Sequence, residues 1–345
     1  MKRYVFYFFA TCALCACQTN KRQVLFGHQD DVVYGSDWQR LEDSAYTDTR
    51  SCIHDVTGQW PDLIGFDLGG IELQASRNLD SVPFNRMLEE CQRQFERGGM
   101  VTLSWHMRNP LTGGNSWDIT PCMSLALDTT SSVHDTVAHW LQRAAAFTAQ
   151  VSALQTRPDQ LIVRLWHEQS GNWFWWCQCS ASAEDYKQLW TWTRAMMVEA
   201  GTQALWAYSP DKLTLYPDDE GAYRETLEWY PGDEQVDIIG TDCYHFGAEE
   251  GIEDYLYRAH RQLDAATRLA NERHKKLAFT ETGNESICCP HWYTQVLLPL
   301  CQEYALMYVH VWRNAWDIPH HFYTPTAQHP EAEDFKTFIQ SIQSL

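Results

Sequence analysis

The chain has 345 residues, a length that suits one large α/β barrel or two ordinary domains. Its formal charge of −19 argues against nucleic acid as a partner, because phosphate binding requires a basic surface, and it equally disfavours acidic polysaccharides and anionic membrane surfaces. A hydrophobic fraction of 44% is typical of a globular protein, and the 16 tryptophans suggest aromatic platforms as well as core. A neutral substrate is therefore expected.

The amino terminus has the pattern of an export signal. Residues 1–17 open with Lys2 and Arg3 and continue through an apolar stretch too short for a membrane span, which requires roughly 20 apolar residues. Residues 14–17, Leu-Cys-Ala-Cys, resemble a lipobox and predict cleavage before Cys17 and lipid attachment to it, with a plain signal peptide as the alternative. The expected division is a lipoprotein signal peptide at 1–16, a lipid-anchored tether at 17–22 and one folded domain at 23–345.

The lipid on Cys17 is the only membrane contact that this pattern predicts. The tether carries no acidic run after Cys17. We therefore expect an exported lipoprotein on the periplasmic face of the outer membrane, with the cell surface or secretion as alternatives.

Nine further cysteines follow, at positions 52, 91, 122, 177, 179, 243, 288, 289 and 301. Nine is an odd number, so at least one thiol stays free if Cys17 carries lipid. An exported protein can hold one or two disulfides, and the spacing does not fix their pairing. No spacing matches a zinc site, and neither a metal nor another cofactor is expected.

Along the rest of the chain, short apolar runs recur and most are followed by a stretch of helical periodicity. The predicted strands are 23–27, 63–68, 100–105, a strand that begins at 161, 204–208, 236–241, 277–280 and 305–312. The predicted helices are 84–94, 133–154, 182–201, 253–273 and 291–303. This alternation predicts a single-domain (β/α)₈ TIM barrel. A doubly wound open sheet is the alternative, but no strand is followed by a glycine-rich phosphate-binding motif.

The fourth predicted strand leads into the segment LIVRLWHEQSGNWFWW at 161–176. Its apolar start is followed by Arg164, His167 and Glu168, and then by a group of indoles. Indole faces stack on sugar rings, and a carboxyl group among them can have its pKa raised enough to act as a general acid. We expect substrate at Trp173 and packing roles for Trp175 and Trp176; the alternative is that all these tryptophans belong to the core.

Chemistry in a (β/α)₈ barrel lies at the carboxyl ends of its strands. The residues at those ends are His28, Asp67, His106, His167, Glu168, Asp242, Tyr244, Glu281, Trp312 and Arg313. Glycoside hydrolysis with retention needs two carboxyl groups about 5–5.5 Å apart, and Glu168 and Glu281 are predicted to face each other across the mouth. The alternative for Glu281 is a salt-bridged structural carboxylate. Structural roles are expected for His28 and Asp67 and are the alternative for His106.

Taken together, these motifs resemble glycoside hydrolase family 26. They are Trp166-His167-Glu168, Gly171 with 173–176, Gly240-Thr241-Asp242 with Tyr244, Glu281-Thr282-Gly283 and Trp312-Arg313-Asn314, besides 27–31 and 104–106. The resemblance runs from about residue 24 to about 340. It implies a (β/α)₈ barrel with catalytic glutamates on the fourth and seventh strands and, in most members, cleavage of β-1,4-mannans with retention.

The resemblance also implies a role for each matching residue. Glu168 is the expected acid/base and Glu281 the expected nucleophile. His167 is expected to hydrogen-bond one of these glutamates, and Tyr244 to contact the nucleophile with Asp242 close by. The residues expected to line the sugar subsites are His106, Trp173, Trp312 and Arg313.

The function predicted is that of a monomeric, retaining β-mannanase acting on mannan, galactomannan or mannooligosaccharides. One alternative is an exo-acting enzyme that releases mannobiose, and another is a related β-glucan or xylan hydrolase. Endo and exo action depend on loops such as 107–130 and 314–329, whose course the sequence does not give. A carbohydrate-binding lipoprotein without turnover is the alternative of another class, and the presence of both glutamates argues against it.

Overall fold

The structure is a computed structural model, and it describes residues 23–42, 50–247 and 250–345. The predicted signal peptide, lipobox cysteine and tether lie outside the described residues. Among the helices of the described ranges, none is both long enough and apolar enough to cross a membrane.

A closed barrel of eight parallel strands forms the centre of the molecule. The strands of the described chain are β1 (Leu25–Gln29), β2 (Tyr34–Gly35), β3 (Trp38–Gln39), β4 (Leu63–Asp67), β5 (Met100–Ser104), β6 (Leu161–Arg164), β7 (Leu205–Tyr208), β8 (Ile238–His245), β9 (Lys276–Asn284) and β10 (Leu306–Val311). The barrel order is β1-β10-β9-β8-β7-β6-β5-β4, and β4 pairs with β1 to close it. β2 and β3 form a small separate hairpin. The predicted barrel is confirmed.

Helices surround the barrel. They are α1 (Cys52–Thr57), α2 (Phe84–Glu96), α3 (Met123–Leu127), α4 (Ser132–Ala153), α5 (Ala183–Glu199), α6 (Asp219–Glu228), α7 (Ile252–Arg273), α8 (Leu298–Glu303) and α9 (Ala332–Ile342). The predicted capping residue Ser182 accepts a hydrogen bond from the Asp185 amide, 3.1 Å away. The sequence did not predict α1, α3, α6 or α9. The predicted helix 291–303 divides into a π-helical turn at Tyr293–Leu297 and α8.

The barrel interior changes from apolar to polar along its axis. Its lower layer is a cluster of buried side chains from strands β4 to β10: Leu63, Met100, Ile162, Leu205, Ala207, Ile238, Ala278 and Tyr308. Because side chains two residues apart on a strand point to the same face, the apolar Ile162 is followed inside the barrel by the charged Arg164. The apolar layer thus closes one end, and polar groups collect at the other.

Strands β8 and β9 extend further than predicted, and this extension positions the site. Predicted to end at residues 241 and 280, they remain paired until His245 and Asn284, with a register shift between Thr241 and Asp242. Asp242 is directly opposite Glu281 in the resulting pairing. Residues expected to follow two separate strands are therefore neighbours within one rigid ladder.

Candidate active site

A cleft of about 270 Å³ lies at the carboxyl ends of the strands. Its lining includes most of the predicted site residues, namely His106, Glu168, Trp173, Tyr244, Glu281, Trp312 and Arg313. The lining also includes residues that were not among the predicted site residues: Leu79, Asp80, Trp117, Phe174, Phe246, His321 and Tyr323. Aromatic rings on several sides of two carboxyl groups match the arrangement expected for a sugar site.

Glu281 lies within β9 and is held on both carboxylate oxygens. The guanidinium of Arg164 donates to Oε1, and the Tyr244 hydroxyl donates to Oε2 over 2.6 Å. Glu281 is 4% exposed, so the ion pair with Arg164 is only weakly screened by water. A buried guanidinium beside a carboxylate favours the ionised form, which is the form a nucleophile requires.

Asp242 lies beneath the cleft and supports the same guanidinium. Its Oδ2 accepts from Nη1 of Arg164 over 2.9 Å, and its Oδ1 accepts from the Thr280 hydroxyl over 2.6 Å. Burial raises the pKa of Asp242 to about 6, although Arg164 opposes the rise. The fully buried Asp242 does not line the cleft, so the prediction that it binds substrate is wrong. The register shift leaves Thr280 of β9 as the extra residue between the pairs Thr241–Phe279 and Asp242–Glu281, so Asp242 lies opposite Glu281.

Glu168 lies four residues beyond the end of β6, in surroundings that favour the neutral acid. Burial raises its pKa to about 8, and the charges of Asp211 and Asp242 add to the rise. A hydrogen bond from Nε1 of Trp173 to Glu168 Oε2, 2.6 Å long, acts in the opposite direction. A carboxyl group that keeps its proton near neutral pH can serve as a general acid.

The carboxyl groups of Glu168 and Glu281 are close enough for retention. An oxygen of each, together with an oxygen of Asp242, lies within 4.8 Å of the others. This separation matches the short spacing of retaining enzymes and not the roughly 6.5–9.5 Å of inverting ones. The three acids do not suit a resident cation, because the Arg164 guanidinium already forms ion pairs with two of them.

His106 and His167 form a pair behind the acid. Burial disfavours charge on His106, but the buried carboxylate of Asp67, 2.8 Å from its Nδ1, raises the pKa of His106 overall. Burial and the nearby charges of Arg164 and His106 lower the pKa of His167 well below its usual range. The Nε2 atoms of the two rings are 3.3 Å apart, so a protonated His106 can donate to a neutral His167.

His167 does not hydrogen-bond either glutamate, so that prediction is wrong, as is its assignment to the substrate surface. Its Nε2 faces His106, its Nδ1 has no partner, and the residue is 1% exposed. The turn after β6 directs this ring behind the cleft. Asp67 is structural as expected, since it accepts hydrogen bonds from His106, Ser104 and the Gly69 amide.

The arginine that contacts the nucleophile is Arg164, which the sequence placed in the informative segment without assigning it a role. Arg313 lines the cleft as predicted, but its Nε pairs with Asp80 over 2.8 Å and its Nη1 donates to the Tyr34 hydroxyl over 3.3 Å. The sequence did carry a signal for Arg164, which is a charged residue inside an otherwise apolar barrel strand. Because an unpaired guanidinium there is costly, such a residue indicates a buried acidic partner.

The tryptophans of the segment 161–176 differ in exposure, in agreement with their predicted roles. Trp173 borders the cleft, whereas Trp175 and Trp176 are fully buried, as expected for packing. Their indole N–H groups also donate to the carbonyls of Met107 and His167, at 3.1 Å and 2.8 Å. These two tryptophans therefore fix the backbone at Met107 and His167 as well as pack in the core.

The remaining candidates lie away from the cleft. His28 is buried and its Nδ1 is 2.9 Å from Oδ1 of Asp31, which is the structural role expected. No disulfide joins the nine cysteines of the described ranges. Other groups with metal-ligating side chains, such as His245 with Cys288 and Cys289, do not line the cleft.

Comparisons with known proteins agree with this geometry. The family model described as "Glycosyl hydrolase family 26" matches residues 12–274, a range that ends before Glu281. A mannan endo-1,4-beta-mannosidase from Bifidobacterium adolescentis is 27% identical over 268 residues, covering 73% of this chain and 25% of that protein. One from Bacillus subtilis is 26% identical, covering 76% of this chain and 69% of that protein.

Among solved structures, a GH26 beta-mannanase from Bacteroides ovatus is similar over most of its length. It superposes with a TM-score of 0.84 at 37% identity, covering 94% of this chain and 90% of that chain. A coverage of 94% of this chain extends beyond residue 274, where the match to the family model ends.

Proposed function

The chain belongs to glycosyl hydrolase family 26, as its sequence motifs predicted, and we propose that it is a retaining endo-β-1,4-mannanase. The observation that carries the proposal is the close pair of glutamates, one paired with Arg164 and the other held neutral by burial, in one aromatic cleft. The substrate class follows from the mannanases to which the chain is similar.

The first chemical step assigns opposite tasks to the two carboxyl groups. The ionised Glu281 attacks the anomeric carbon, while the protonated Glu168 donates its proton to the departing glycosidic oxygen. The bond from the anomeric carbon to that oxygen breaks as the bond to Glu281 forms. Tyr244 and Arg164 hold the attacking carboxylate in one orientation.

The second step uses Glu168 as a base. After the first step its carboxylate is deprotonated, and it takes a proton from a water molecule that attacks the anomeric carbon from the side vacated by the leaving group. The bond to Glu281 breaks and its carboxylate is restored. Two inversions at one carbon give net retention.

The substrate lies among aromatic rings from both loops that the sequence identified as deciding endo or exo action. Trp117, from loop 107–130, stacks on His106 with ring centroids 5.3 Å apart, and His321 and Tyr323, from loop 314–329, also border the cleft. A neutral polymer suits these rings, since the strongly negative chain repels acidic substrates.

The test is a time course of products from a long mannan and from short mannooligosaccharides. An early ladder of sizes supports endo action, whereas mannobiose as the dominant product from the start indicates the exo alternative. β-Glucan and β-1,3-xylan as parallel substrates test the related activities. Absence of new reducing ends on every substrate would refute the enzyme and favour a carbohydrate-binding protein.

We also propose that the protein is an exported, monomeric lipoprotein on the periplasmic face of the outer membrane. The support is the basic and apolar start of the chain and the Leu14–Cys17 lipobox pattern. Incorporation of labelled fatty acid that is lost in Cys17→Ala tests the anchor. Protease treatment of intact cells distinguishes the periplasmic face from the cell surface, and light scattering of the soluble domain tests the monomer.

A further inference from the structure

The backbone that carries Glu168 has an unusual conformation. Trp166 and Glu168 both have positive φ values, 52° and 57°, in a turn of only a few residues after β6. Side chains other than glycine disfavour this left-handed region, because Cβ approaches the following carbonyl oxygen. Such a conformation persists only when surrounding contacts hold it, and two instances within three residues indicate a strongly supported turn.

The supporting contacts are hydrogen bonds to three consecutive carbonyl groups. The Trp166 carbonyl accepts from the Tyr186 hydroxyl over 3.0 Å, and the His167 carbonyl accepts from Nε1 of Trp176 over 2.8 Å. The Glu168 carbonyl accepts from the Cys177 thiol over 3.1 Å and from the Gly171 amide over 2.8 Å. Each carbonyl of the turn thus has its own side-chain donor.

All three donors belong to fully buried residues that follow the turn in the chain. A buried carbonyl without a partner is costly, so each donor makes the turn more favourable than an alternative in which its carbonyl points elsewhere. Opposite the turn, the Glu168 amide donates to the Ser209 carbonyl over 2.8 Å, which ties the acid to the end of β7.

Tyr186 is the donor that connects the turn to a helix. It lies in the first turn of α5, whose start is fixed by the Ser182 cap, and its ring packs edge-on against Trp229. Its hydroxyl is the polar group aimed at the turn. Phenylalanine at this position fills the same space and removes only that hydrogen bond.

We propose that Tyr186, Trp176 and Cys177 are positioning residues that fix the general acid Glu168 by holding the carbonyls of its turn. They do not touch substrate; they act through the backbone on the direction of the Glu168 carboxyl group. The proposal rests on the proposed function, because it assigns these residues to its acid step.

The test separates acid catalysis from every other step by the choice of leaving group. A dinitrophenyl leaving group departs without a proton, whereas the sugar hydroxyl of mannotetraose requires one. For Tyr186→Phe, we expect kcat/KM for mannotetraose to fall about tenfold, the order of loss that slight misplacement of a catalytic group produces. For dinitrophenyl β-mannobioside, kcat/KM should change less than about twofold, since the nucleophile is untouched.

A matched control is Tyr304→Phe, which removes another buried hydroxyl, one that donates to Asp264 over 2.8 Å far from the turn. It should leave kcat/KM for both substrates at the wild-type value. Comparable melting temperatures of the two variants show that both fold.

A second pair of variants acts on the carbonyl of Glu168 itself. Cys177→Ser keeps a hydrogen-bond donor and should retain most activity on mannotetraose, whereas Cys177→Ala should show the same leaving-group-dependent loss as Tyr186→Phe. This pair keeps the proposal testable if Tyr186→Phe does not fold.

Each outcome has one meaning. A loss confined to mannotetraose supports the proposal, and equal losses on both substrates, or none on either, would overturn it. A wild-type protein that is inactive on both substrates refutes the proposed function instead, so the two failures are distinguishable.

Discussion

Glu281 lies inside strand β9, whereas Glu168 lies beyond the end of β6, on a turn with positive φ values. Glu281 has two charged or polar donors, Arg164 and Tyr244. Glu168 has one indole donor, and burial, with the charges of its acidic neighbours, raises its pKa to about 8. The same chemical group is thus prepared as a base-like nucleophile in one place and as an acid in the other.

The difference shows how the barrel assigns chemistry through partners. Both strands are fixed in the barrel, so Arg164 on β6 reaches Glu281 on β9 across the barrel interior, although β7 and β8 lie between them in the sheet. The turn after β6 buries Glu168 and sets the direction of its carboxyl group. Variants that alter the surroundings of one glutamate and leave those of the other intact test this difference between nucleophile and acid.

The largest effect is expected for Glu281→Ala. Without the nucleophile, no glycosyl-enzyme forms, and the rate should fall on the order of 10⁴-fold or more for every leaving group. The measurement is kcat/KM on mannotetraose and on dinitrophenyl β-mannobioside. Glu253→Ala, at an exposed site in the first turn of α7, serves as the control. Full activity in a folded Glu281→Ala protein contradicts the assigned role.

Tyr244→Phe should produce the next largest loss. It removes the 2.6 Å hydrogen bond to Glu281 and leaves the acid side intact, so we expect kcat to fall about tenfold to a hundredfold with both leaving groups. Tyr255→Phe is the matched control, because its hydroxyl contacts Thr282, the next residue of the same strand. A loss that depends on the leaving group would place Tyr244 on the acid side instead.

The two glutamates should affect stability in opposite directions. Folded Glu168 keeps its proton to about pH 8, whereas an unfolded glutamate releases it near pH 4.3, so the wild type loses stability as pH rises through this window. Glu168→Gln removes that loss and should be about 2 kcal/mol more stable at pH 8 but not at pH 4.

Glu281→Gln should instead be less stable at pH 8, because it leaves the buried Arg164 without one of its carboxylate partners. Urea unfolding of both variants at the two pH values gives the free energies. A stabilising Glu281→Gln, or a destabilising Glu168→Gln at pH 8, would reverse the proposed protonation states.

The smallest effect is expected in the pH profile of Trp173→Phe. The indole hydrogen bond lowers the pKa of Glu168, so its removal should move the alkaline limb of kcat/KM to higher pH by less than about one unit. Trp117→Phe, which alters an indole stacked on His106, should change KM without moving that limb. A shift to lower pH in Trp173→Phe contradicts the interpretation of this bond.

Local patterns allowed much of the fold to be predicted. The apolar run at 161–163 and its seven counterparts were recognised as barrel strands because a buried parallel strand leaves few polar positions. Helices such as α5 were recognised from their spacing and capping residue. Short α1 and α3 carry too few turns for a clear period, and α6 lies in a polar segment, so they were missed.

The partners of the site residues were beyond reach of these patterns. Glu168, Glu281, Tyr244 and Trp173 were identified from motifs at strand ends, but the sequence does not show that Arg164 lies between Asp242 and Glu281. It also misplaced His167 and Asp242. The turn after β6 directs the His167 ring away from the cleft, and Asp242 lies two residues before Tyr244 on the same face of β8, too deep to line the cleft.

By itself, the sequence determined the barrel, the family and the two glutamates, because periodicity and motif spacing are properties of contiguous residues. The tertiary structure alone decided the opposite environments of those glutamates. Arg164 and Glu281 are 117 positions apart, and the carbonyls around Glu168 are held by donors whose direction depends on a strained turn. The charges around each glutamate, its burial and the direction of its carboxyl group depend on contacts between distant segments. Only the closed barrel brings those segments together.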